Sequence, residues 1–461
     1  MQLKHSVFDI VKDVMSLHNA AYADHAIRVA YIFLAMSQFD EKINVETLHN
    51  LILLCMFHDI GAFKTEKDTD QLGFEVSNTL SHSVYGYLFI KHLSHLSACA
   101  PVILYHHLHY NKREMCRFKQ KDYAMRLCLA DRLDMCISAG YNDETVMRHI
   151  VNRSGSMFSP YDVKLLTDAD KRHNILASLR DGSYEEAVRN YFNNYVYKDE
   201  MREDLIVTLS MTQDFINEKM VAHSIETAQY AETLGRCFGV RGVAEEKLLY
   251  FAGLFHDIGK AEVPDEILRK QSFLDAEENA IFRKHPVYTR QIISRIFEGD
   301  IIEIASRHHE ALNGSGYPDS LSDRDLTIPQ KILAAANMLS KLLGRRGSGP
   351  ASADEGDMLI MLNGMVDKGK LDRRVVRVLF DNYNRIVHTT AIDPQKILKR
   401  YESIKKNYNA CIKKYSILDN TFRNNVSVYN DFRLLFDYSC LEKNLAYKSF
   451  NFSRSTDLNF S

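Results

Sequence analysis

The pentapeptide Phe255-His256-Asp257-Ile258-Gly259 occurs a second time in this chain, as Phe57-His58-Asp59-Ile60-Gly61. The two copies are offset by 198 residues, and the same offset relates His25 to His223, so each copy has a histidine 33 residues before its His-Asp pair. Loop lengths differ between the copies while the order of the polar residues holds. We therefore predict two domains built on one scaffold.

Further polar residues follow each copy of the pentapeptide in the same order. The first copy continues with His82, His106, His107 and Asp131, and the second with His285, His308, His309 and Asn337. Ten of the chain's 19 histidines belong to this duplicated series. Histidine is the usual ligand of catalytic transition metals, whereas random surface histidines would not repeat in order. The repeat predicts a candidate metal site in each domain.

Apolar residues recur at helical spacing, and the alternation typical of strands is scarce. Ile225, Ala228, Ala231 and Leu234 lie three residues apart, as on the buried face of an amphipathic helix. Only 8 prolines occur in 461 residues. These features predict an all-α fold, and the length allows two or three domains at ~150 residues each.

The composition is that of an ordinary globular protein. A formal net charge of −2 creates no global attraction to nucleic acid or to an anionic membrane. The apolar run from Leu51 to Phe57 has seven residues, too few to span a bilayer. Eight cysteines without CxxC spacing favour a reducing compartment. We therefore expect a cytoplasmic protein that binds neither nucleic acid nor membrane.

The second copy combines metal ligands with groups suited to a phosphate. Neighbouring residues on a helix point ~100° apart, so His256 and Asp257 can share a site only at a helix end or bend, which we expect Gly259 to provide. Asp257 has two oxygens and can bridge two ions, as a two-metal phosphodiester hydrolase requires. Imidazole with carboxylate suits iron or manganese. Lys260 and Arg345-Arg346 could neutralise phosphate oxygens, although a lysine alone is more often a solvated side chain.

These motifs resemble those of an HD-GYP domain. The resemblance is carried by Phe255 to Lys260, Val263-Pro264-Asp265, His285-Pro286, His308-His309-Glu310, Asn313-Gly314-Ser315-Gly316-Tyr317-Pro318 and Ile328-Pro329. It covers roughly residues 215–385. HD-GYP proteins are helical bundles that bind two or three iron or manganese ions and hydrolyse bacterial cyclic dinucleotides. The tandem layout is similar to a type specific for cyclic GMP–AMP.

The resemblance implies a role for each matching residue. The expected metal ligands are His223, His256, Asp257, His285, His308 and His309, with Asn337 at the place of the family's last aspartate. Asp257 and Lys260 are the expected catalytic residues, and the substrate pocket is expected to comprise Lys260, Gly314, Gly316, Tyr317 and Arg346. Some members bind a third metal through a glutamate at the position of Lys219, so we expect two ions here.

The first copy resembles the wider HD superfamily rather than HD-GYP domains. Its candidate ligands are His25, His58, Asp59, His82, His106, His107 and Asp131. Ala62 stands at the lysine position, and Leu108-His109-Tyr110-Asn111 replaces the glycine-rich loop. Either this copy is a decayed duplicate that keeps its histidines for packing, or it is a metal-loaded auxiliary domain. We favour the auxiliary domain, without the same reaction.

The chain is therefore predicted to consist of two tandem HD-superfamily helical bundles joined by a helical linker. The expected parts are a divergent HD domain (1–150), a linker (151–210), an HD-GYP domain (211–390) and a C-terminal helical extension and tail (391–461). We expect the two bundles to contact each other, and a homodimer is possible. The predicted substrate is 3'3'-cyclic GMP–AMP or cyclic di-GMP. The alternatives are a weakened HD-GYP protein acting as ligand sensor or protein-binding module, motivated by Asn337, and another HD phosphohydrolase acting on nucleotides or alarmones.

Overall fold

The computed structural model describes residues 6–17, 19–62, 79–115, 118–214, 218–270, 272–344 and 355–388, together with Lys406. Over these ranges the protein forms α-helices and short 3₁₀ turns without a β-strand, which confirms the all-α prediction. None of the helices in these ranges is long and apolar enough to cross a membrane. Backbone contacts divide the chain into two compact units, composed mainly of residues 7–212 and residues 213–399.

The N-terminal unit is a helical bundle. Its helices are α1 (Val7–Ser16), α2 (Ala20–Ser37), α3 (Val45–Met56), α4 (Thr79–Leu93), α5 (Ala100–Leu104), α6 (Lys121–Ser138), α7 (Asp143–Asn152), α8 (Pro160–His173), α9 (Ile175–Asp181), α10 (Tyr184–Asn194) and α11 (Asp199–Asp214). α2 is buried along most of its length and packs against α1, α3, α6, α8 and α10. It is therefore the central helix of this unit.

The C-terminal unit repeats this arrangement around another central helix. Its helices are α12 (Glu218–Phe238), α13 (Val243–Phe255), α14 (Asp265–Arg269), α15 (Ala276–Phe282), α16 (His285–Ile296), α17 (Ile301–Ser306), α18 (Ile328–Gly344), α19 (Glu355–Asp367), α20 (Arg373–Asp381) and α21 (Tyr383–His388). α12 packs against α13, which ends next to His256, and against α18, which contains Asn337. The apolar spacing of Ile225, Ala228, Ala231 and Leu234 is explained by their burial on α12.

Residues 151–194, in the predicted linker, form helices that pack within the N-terminal unit. α8 and α10 both contact α2. Just beyond α10, the ring of Tyr195 stacks on His49 of α3, with 3.5 Å between centroids and 8° between planes. Tyr197 meets the same imidazole edge-on at 5.0 Å. Aromatic packing against α3 thus holds this segment to the first bundle.

His49 makes the stability of the N-terminal unit sensitive to acid. Burial, with a smaller contribution from nearby His95, lowers the pKa of His49 from 6.5 to about 3. Because the unfolded chain binds the proton at higher pH than the folded chain does, stability is lost as pH falls from about 6.5 towards about 3. We expect His49→Phe to weaken that loss, so that thermal unfolding shifts less between about pH 7.5 and about pH 5. Exposed His173, changed to Phe, is the control, and an unaltered pH dependence in His49→Phe would contradict the assignment.

Candidate metal centres

The C-terminal unit brings the six histidine and aspartate ligands predicted in the second copy to one place. His223 lies inside α12, whereas His256 and Asp257 follow the end of α13. His285 begins α16, and His308 and His309 follow the end of α17. Asn337 lies inside α18, with only 2% of its surface exposed. His223 and Asn337 therefore lie inside helices, and the other candidate ligands lie at helix termini or just beyond them.

Asp257 is the centre of this cluster, and each of its oxygens faces a different pair of histidines. Oδ2 lies 3.6 Å from Nε2 of His223 and 3.2 Å from Nε2 of His256. Oδ1 lies 3.3 Å from Nε2 of His285 and 3.5 Å from Nε2 of His308. Two groups of potential ligand atoms therefore share one carboxylate: His223 with His256, and His285 with His308 and His309. This is the arrangement expected of a carboxylate that bridges two ions.

Backbone carbonyls orient three of these imidazoles. Nδ1 of His256, His285 and His308 lies 2.6–2.7 Å from the carbonyl oxygen three residues earlier, on Gly253, Phe282 and Ala305 respectively. A carbonyl oxygen only accepts, so Nδ1 must carry the proton and donate it. The last carbonyls of a helix lack partners within the helix, which is why they are available here. Each Nε2 therefore directs a lone pair into the cluster.

This donor set fits a pair of divalent cations. The Nε2 atoms of His223 and His256 are 3.2 Å apart, and those of His285 and His308 are 3.3 Å apart. Facing lone pairs repel at these distances unless a cation or proton lies between them. Burial lowers the pKa of His308 to about 3 and also lowers that of His223 and of His309. Neutral imidazoles with an ionised aspartate are the state in which such residues bind metal.

Lys260 lies directly beside the bridging carboxylate. Its Nζ is 2.6 Å from Oδ2 of Asp257 and 5.7 Å from the centre of the Phe282 ring. Burial alone would raise the pKa of Asp257, but His256 and Lys260 hold it well below its usual range. A second amine, Lys341 Nζ, is 3.3 Å from Nε2 of His309. The sequence indicated Lys260 but gave no sign of Lys341.

The glycine-rich loop lies against the same cluster. The Tyr317 ring stacks on His309, with centroids 4.6 Å apart, and the Arg283 guanidinium lies 4.4 Å from its centre. Gly314 adopts a positive φ of 75°, as only glycine does readily. At Gly316 a Cβ atom would come within 2.3 Å of the Ala311 nitrogen, so the loop needs glycine there too. Tyr317 is thus at the site, while Arg346 lies outside the described residues, as does Arg345.

The N-terminal unit has a cluster with the same plan. Nε2 of His25 and of His58 are 3.2 Å apart and lie 3.6 and 3.3 Å from Oδ2 of Asp59. Nε2 of His82 and of His106 lie 3.5 and 3.7 Å from Oδ1. His58 and His106 donate Nδ1–H to the carbonyls of Cys55 and Ile103, again three residues earlier. The structure therefore brings together the predicted histidine and aspartate ligands of both copies.

Charge distinguishes the N-terminal cluster from the C-terminal one. Asp131 is fully buried and its Oδ1 lies 3.6 Å from Nε2 of His25, so this cluster has two carboxylates. Burial opposes the effect, but Asp59 and then Asp131 raise the pKa of His58 to about 9. The cluster thus favours a positive charge at this position. Arg132 adds a cation 3.1 Å from Nδ1 of His107, and buried Ala62 offers no amine where the other unit has Lys260.

Comparison with family models agrees with this duplication. One model describing an HD domain matches residues 22–136, and another describing an HD domain matches residues 208–375. The chain carries two HD domains. All fourteen candidate ligands lie inside the matched ranges, seven in each HD domain.

Relatives of the two HD domains are phosphodiesterases. The 3'3'-cGAMP-specific phosphodiesterase 1 of Vibrio cholerae is 27% identical over 379 residues, 78% of this chain and 87% of that protein. A cyclic di-GMP phosphodiesterase of Thermotoga maritima is 30% identical over 188 residues, 38% of this chain and 48% of its own length. A crystal structure of a cyclic GMP–AMP-specific phosphodiesterase from V. cholerae aligns with a TM-score of 0.48 and 18% identity, covering 82% of this chain and 98% of that one. The two family models and the two sequence relatives confirm the resemblance to the HD-GYP family.

Two residues of the C-terminal HD domain, Glu310 and Arg283, hold the glycine-rich loop, a role that was not predicted for either. Glu310 is buried, and its carboxylate accepts hydrogen bonds from the backbone N–H groups of Asp319 and Leu321 at 2.7 and 2.9 Å. Arg283 contacts Tyr317 from the turn after α15. Glu310 directly follows the tandem histidines and belongs to the motif that carries the HD-GYP resemblance, but that motif assigned it no role. No spacing in the sequence indicates that Arg283 meets the loop.

Asn337 supports a direct test of the C-terminal centre. Its Oδ1 is buried and has no hydrogen-bond partner among the described residues, as is also true of Oδ1 of Asp257. An amide oxygen at this position can coordinate a cation but adds no negative charge. We expect Asn337→Asp to raise the affinity for Mn²⁺, because an anionic ligand binds a divalent cation more tightly. Metal titration of the chelator-treated protein measures this, and unchanged affinity would place Asn337 outside the coordination shell.

Proposed function

We propose that the C-terminal HD domain is a metal-dependent phosphodiesterase that hydrolyses a 3'-5' linkage of a bacterial cyclic dinucleotide to give a linear dinucleotide. The observation that carries this proposal is the division of the Asp257 carboxylate between two groups of histidine nitrogens. The phosphodiesterase relatives support it. We further propose that the resident metals are two iron or manganese ions, held by His223, His256, Asp257, His285, His308 and His309, with Asn337.

The side chains of the site have separate tasks in this reaction. Bound divalent metal supplies an activated water and charge stabilisation for the phosphate. The carbonyl-bound imidazoles keep their Nε2 lone pairs directed at one place, and Asp257 spans the two halves of the donor set. Lys260 offers an ammonium group beside Asp257 that can pair with a non-bridging phosphate oxygen. Tyr317 offers its hydroxyl at the rim of the site, because His309 and Arg283 lie against its ring, and Gly314 and Gly316 shape the loop that carries it.

We propose 3'3'-cyclic GMP–AMP as the preferred substrate, ahead of cyclic di-GMP. A relative whose alignment covers 78% of this chain and 87% of its own length is specific for 3'3'-cGAMP. The cyclic di-GMP phosphodiesterase of T. maritima shares only 38% of this chain. The N-terminal HD domain is proposed to bind metal in an auxiliary role, because Ala62 leaves it without the amine of Lys260.

The test is to incubate the metal-loaded full chain with each cyclic dinucleotide and to follow the linear product by chromatography. We expect linear product from both, faster from cyclic GMP–AMP. Product from neither, with both substrates still bound, would overturn the proposal in favour of a ligand sensor. That second candidate is favoured by Asn337, which replaces an anionic ligand with a neutral one.

A further inference from the structure

The two HD domains hold their first histidine in different ways. In the N-terminal HD domain, Nδ1 of His25 lies 2.7 Å from Oδ2 of Asp134, a carboxylate on α6. Arg28, one turn after His25 on α2, pairs with the same carboxylate, with Nε 2.5 Å from Oδ1. Asp134 is fully buried. A carboxylate therefore contacts the first imidazole directly, and an arginine balances its charge.

In the C-terminal HD domain both of these positions hold other residues. Ser340 stands three residues after Asn337, as Asp134 stands three after Asp131, and Glu226 stands three residues after His223, as Arg28 does after His25. Nδ1 of His223 lies 2.9 Å from Oγ of Ser340, and Oγ lies 2.7 Å from Oε2 of Glu226. The carboxylate is thus on the other helix, and a hydroxyl lies between it and the imidazole.

Burial raises the pKa of Glu226 to about 7, and above that pH its ionised carboxylate determines the direction of this chain of hydrogen bonds. A serine hydroxyl has one proton and two lone pairs. An ionised Glu226 can only accept, so the hydroxyl proton goes to its Oε2 at 2.7 Å and not to the His223 carbonyl oxygen at 3.5 Å or to Nδ1 of His223 at 2.9 Å. The lone pairs of Oγ then accept Nδ1–H from His223. As a result, His223 directs its Nε2 lone pair towards Asp257 and His256.

His223 needs this support more than the other histidines do. His256, His285 and His308 follow helix ends, where a free carbonyl accepts Nδ1–H. His223 lies inside α12, where the backbone carbonyls accept bonds within the helix, so a side chain has to orient its ring, and Ser340 of α18 does so. Partners of this kind, acting on the second nitrogen of a ligand imidazole, fix its tautomer and raise its basicity.

We propose that Glu226 is a positioning residue of the C-terminal centre and acts through Ser340 to orient His223 and increase its basicity. It supplies from α12 the carboxylate that Asp134 supplies from α6 in the N-terminal HD domain. The inference rests on the proposed function in that it assigns His223 to a metal. It adds two residues, Glu226 and Ser340, that neither the sequence repeat nor the family resemblance indicated.

The first experiment measures Mn²⁺ affinity by titrating chelator-treated full chain that has the Asp59→Ala change, so that the C-terminal cluster dominates the signal. We expect Ser340→Ala and Glu226→Gln each to weaken binding by about tenfold or more. Glu226→Gln keeps the size of the side chain, so its effect reports the carboxylate. Glu298→Gln, an exposed glutamate beyond α16, is the matched control and should bind as the parent does.

Coupling between the two residues separates a relay from two independent structural roles. If Glu226 acts only through Ser340, the double variant Glu226→Gln/Ser340→Ala should bind Mn²⁺ no more weakly than Ser340→Ala alone. A charge exchange, Glu226→Arg/Ser340→Asp, reproduces the pair seen in the N-terminal HD domain and should restore binding above that of Ser340→Ala.

Turnover assays on the two single variants, Ser340→Ala and Glu226→Gln, provide a second readout. Their kcat should fall at limiting Mn²⁺ and recover when Mn²⁺ is raised, with KM for the dinucleotide unchanged.

Additive losses in the double variant, or unaltered Mn²⁺ affinity in Glu226→Gln, would overturn the proposal. Metal binding is read without substrate, so this outcome is distinct from failure of the proposed function. A protein without phosphodiesterase activity would still show the coupled losses if the relay exists. An active phosphodiesterase with uncoupled losses would keep its function and refute the relay.

Discussion

Replacing Asp257 by alanine is expected to lower the turnover of cyclic dinucleotide at least ~10²-fold, with His256→Ala close behind. Asp257 lies 3.2–3.6 Å from four imidazoles, so its loss leaves His223 and His256 without a link to His285 and His308. Initial rates at saturating substrate, with metal content measured in the same preparation, test this. Full activity in Asp257→Ala with metal still bound would refute the assignment of this centre.

The matched control is Asp59→Ala, which removes the equivalent carboxylate from the N-terminal HD domain. We expect this change to reduce the metal bound by the N-terminal cluster and to lower turnover much less than Asp257→Ala does. The N-terminal cluster lacks an equivalent of Lys260, since Ala62 stands there, and no loop like Asn313–Pro318 follows its tandem histidines. If Asp59→Ala proved the more damaging, the N-terminal centre would be the active site and the C-terminal one the sensor.

Replacing Gly259 by alanine is expected to have a second large effect, on stability and turnover together. A Cβ atom there would lie 2.1 Å from the His285 carbonyl oxygen and 2.3 Å from the Thr289 nitrogen, both backbone atoms of α16. Relief of such a clash requires α16 to move, which we expect to destabilise the protein by on the order of 3 kcal/mol. Because α16 begins with His285, that ligand moves away from Asp257, and a shift of about 1 Å can cost ~10² in rate.

Two other glycines provide controls for Gly259→Ala. At Gly364, inside α19, a Cβ atom would meet nothing within 4 Å, so Gly364→Ala should leave turnover unchanged and stabilise the helix by up to about 1 kcal/mol. At Gly61 a Cβ atom would lie 2.0 Å from the His82 carbonyl oxygen, so Gly61→Ala should destabilise the N-terminal unit with a smaller loss of turnover. Thermal unfolding and initial rates measure both quantities. Normal stability and normal rate in Gly259→Ala would contradict the close approach.

The reason why position 259 requires glycine could not be predicted from the sequence. A glycine two residues after Asp257 predicts a bend that lets His256 and Asp257 face one site. In the structure α13 has already ended at Phe255, and Gly259 is not among the residues with positive φ. Glycine is required because the turn packs directly on α16, where its N–H donates to Oγ1 of Thr289 at 3.0 Å. The residues around Gly259 do not indicate this contact, because its partner Thr289 is 30 residues away along the chain.

The sequence by itself determined the all-α class, the duplication and the identity of the clustered polar residues. It could do so because a repeated order of histidines and aspartates over two stretches constrains the ligand set, and because helical spacing of apolar residues reports a buried face. The hydrogen bonds from Nδ1 of His256 and His308 to the carbonyl three residues earlier also follow from the sequence, once α13 and α17 are known to end just before these histidines. Both bonds use backbone atoms from the same short segment.

Only the tertiary structure decided how the first histidine of each HD domain is held. His25 and His223 lie inside central helices and take their partners from α6 and α18, more than 100 residues away along the chain. Packing of α12 on α18 brings Ser340 and Glu226 together, and packing of α2 on α6 brings Asp134 to Arg28. Hydrogen-bond partners across a helix interface depend on the register of two packed helices. That register is set by the whole core and not by the residues around either histidine.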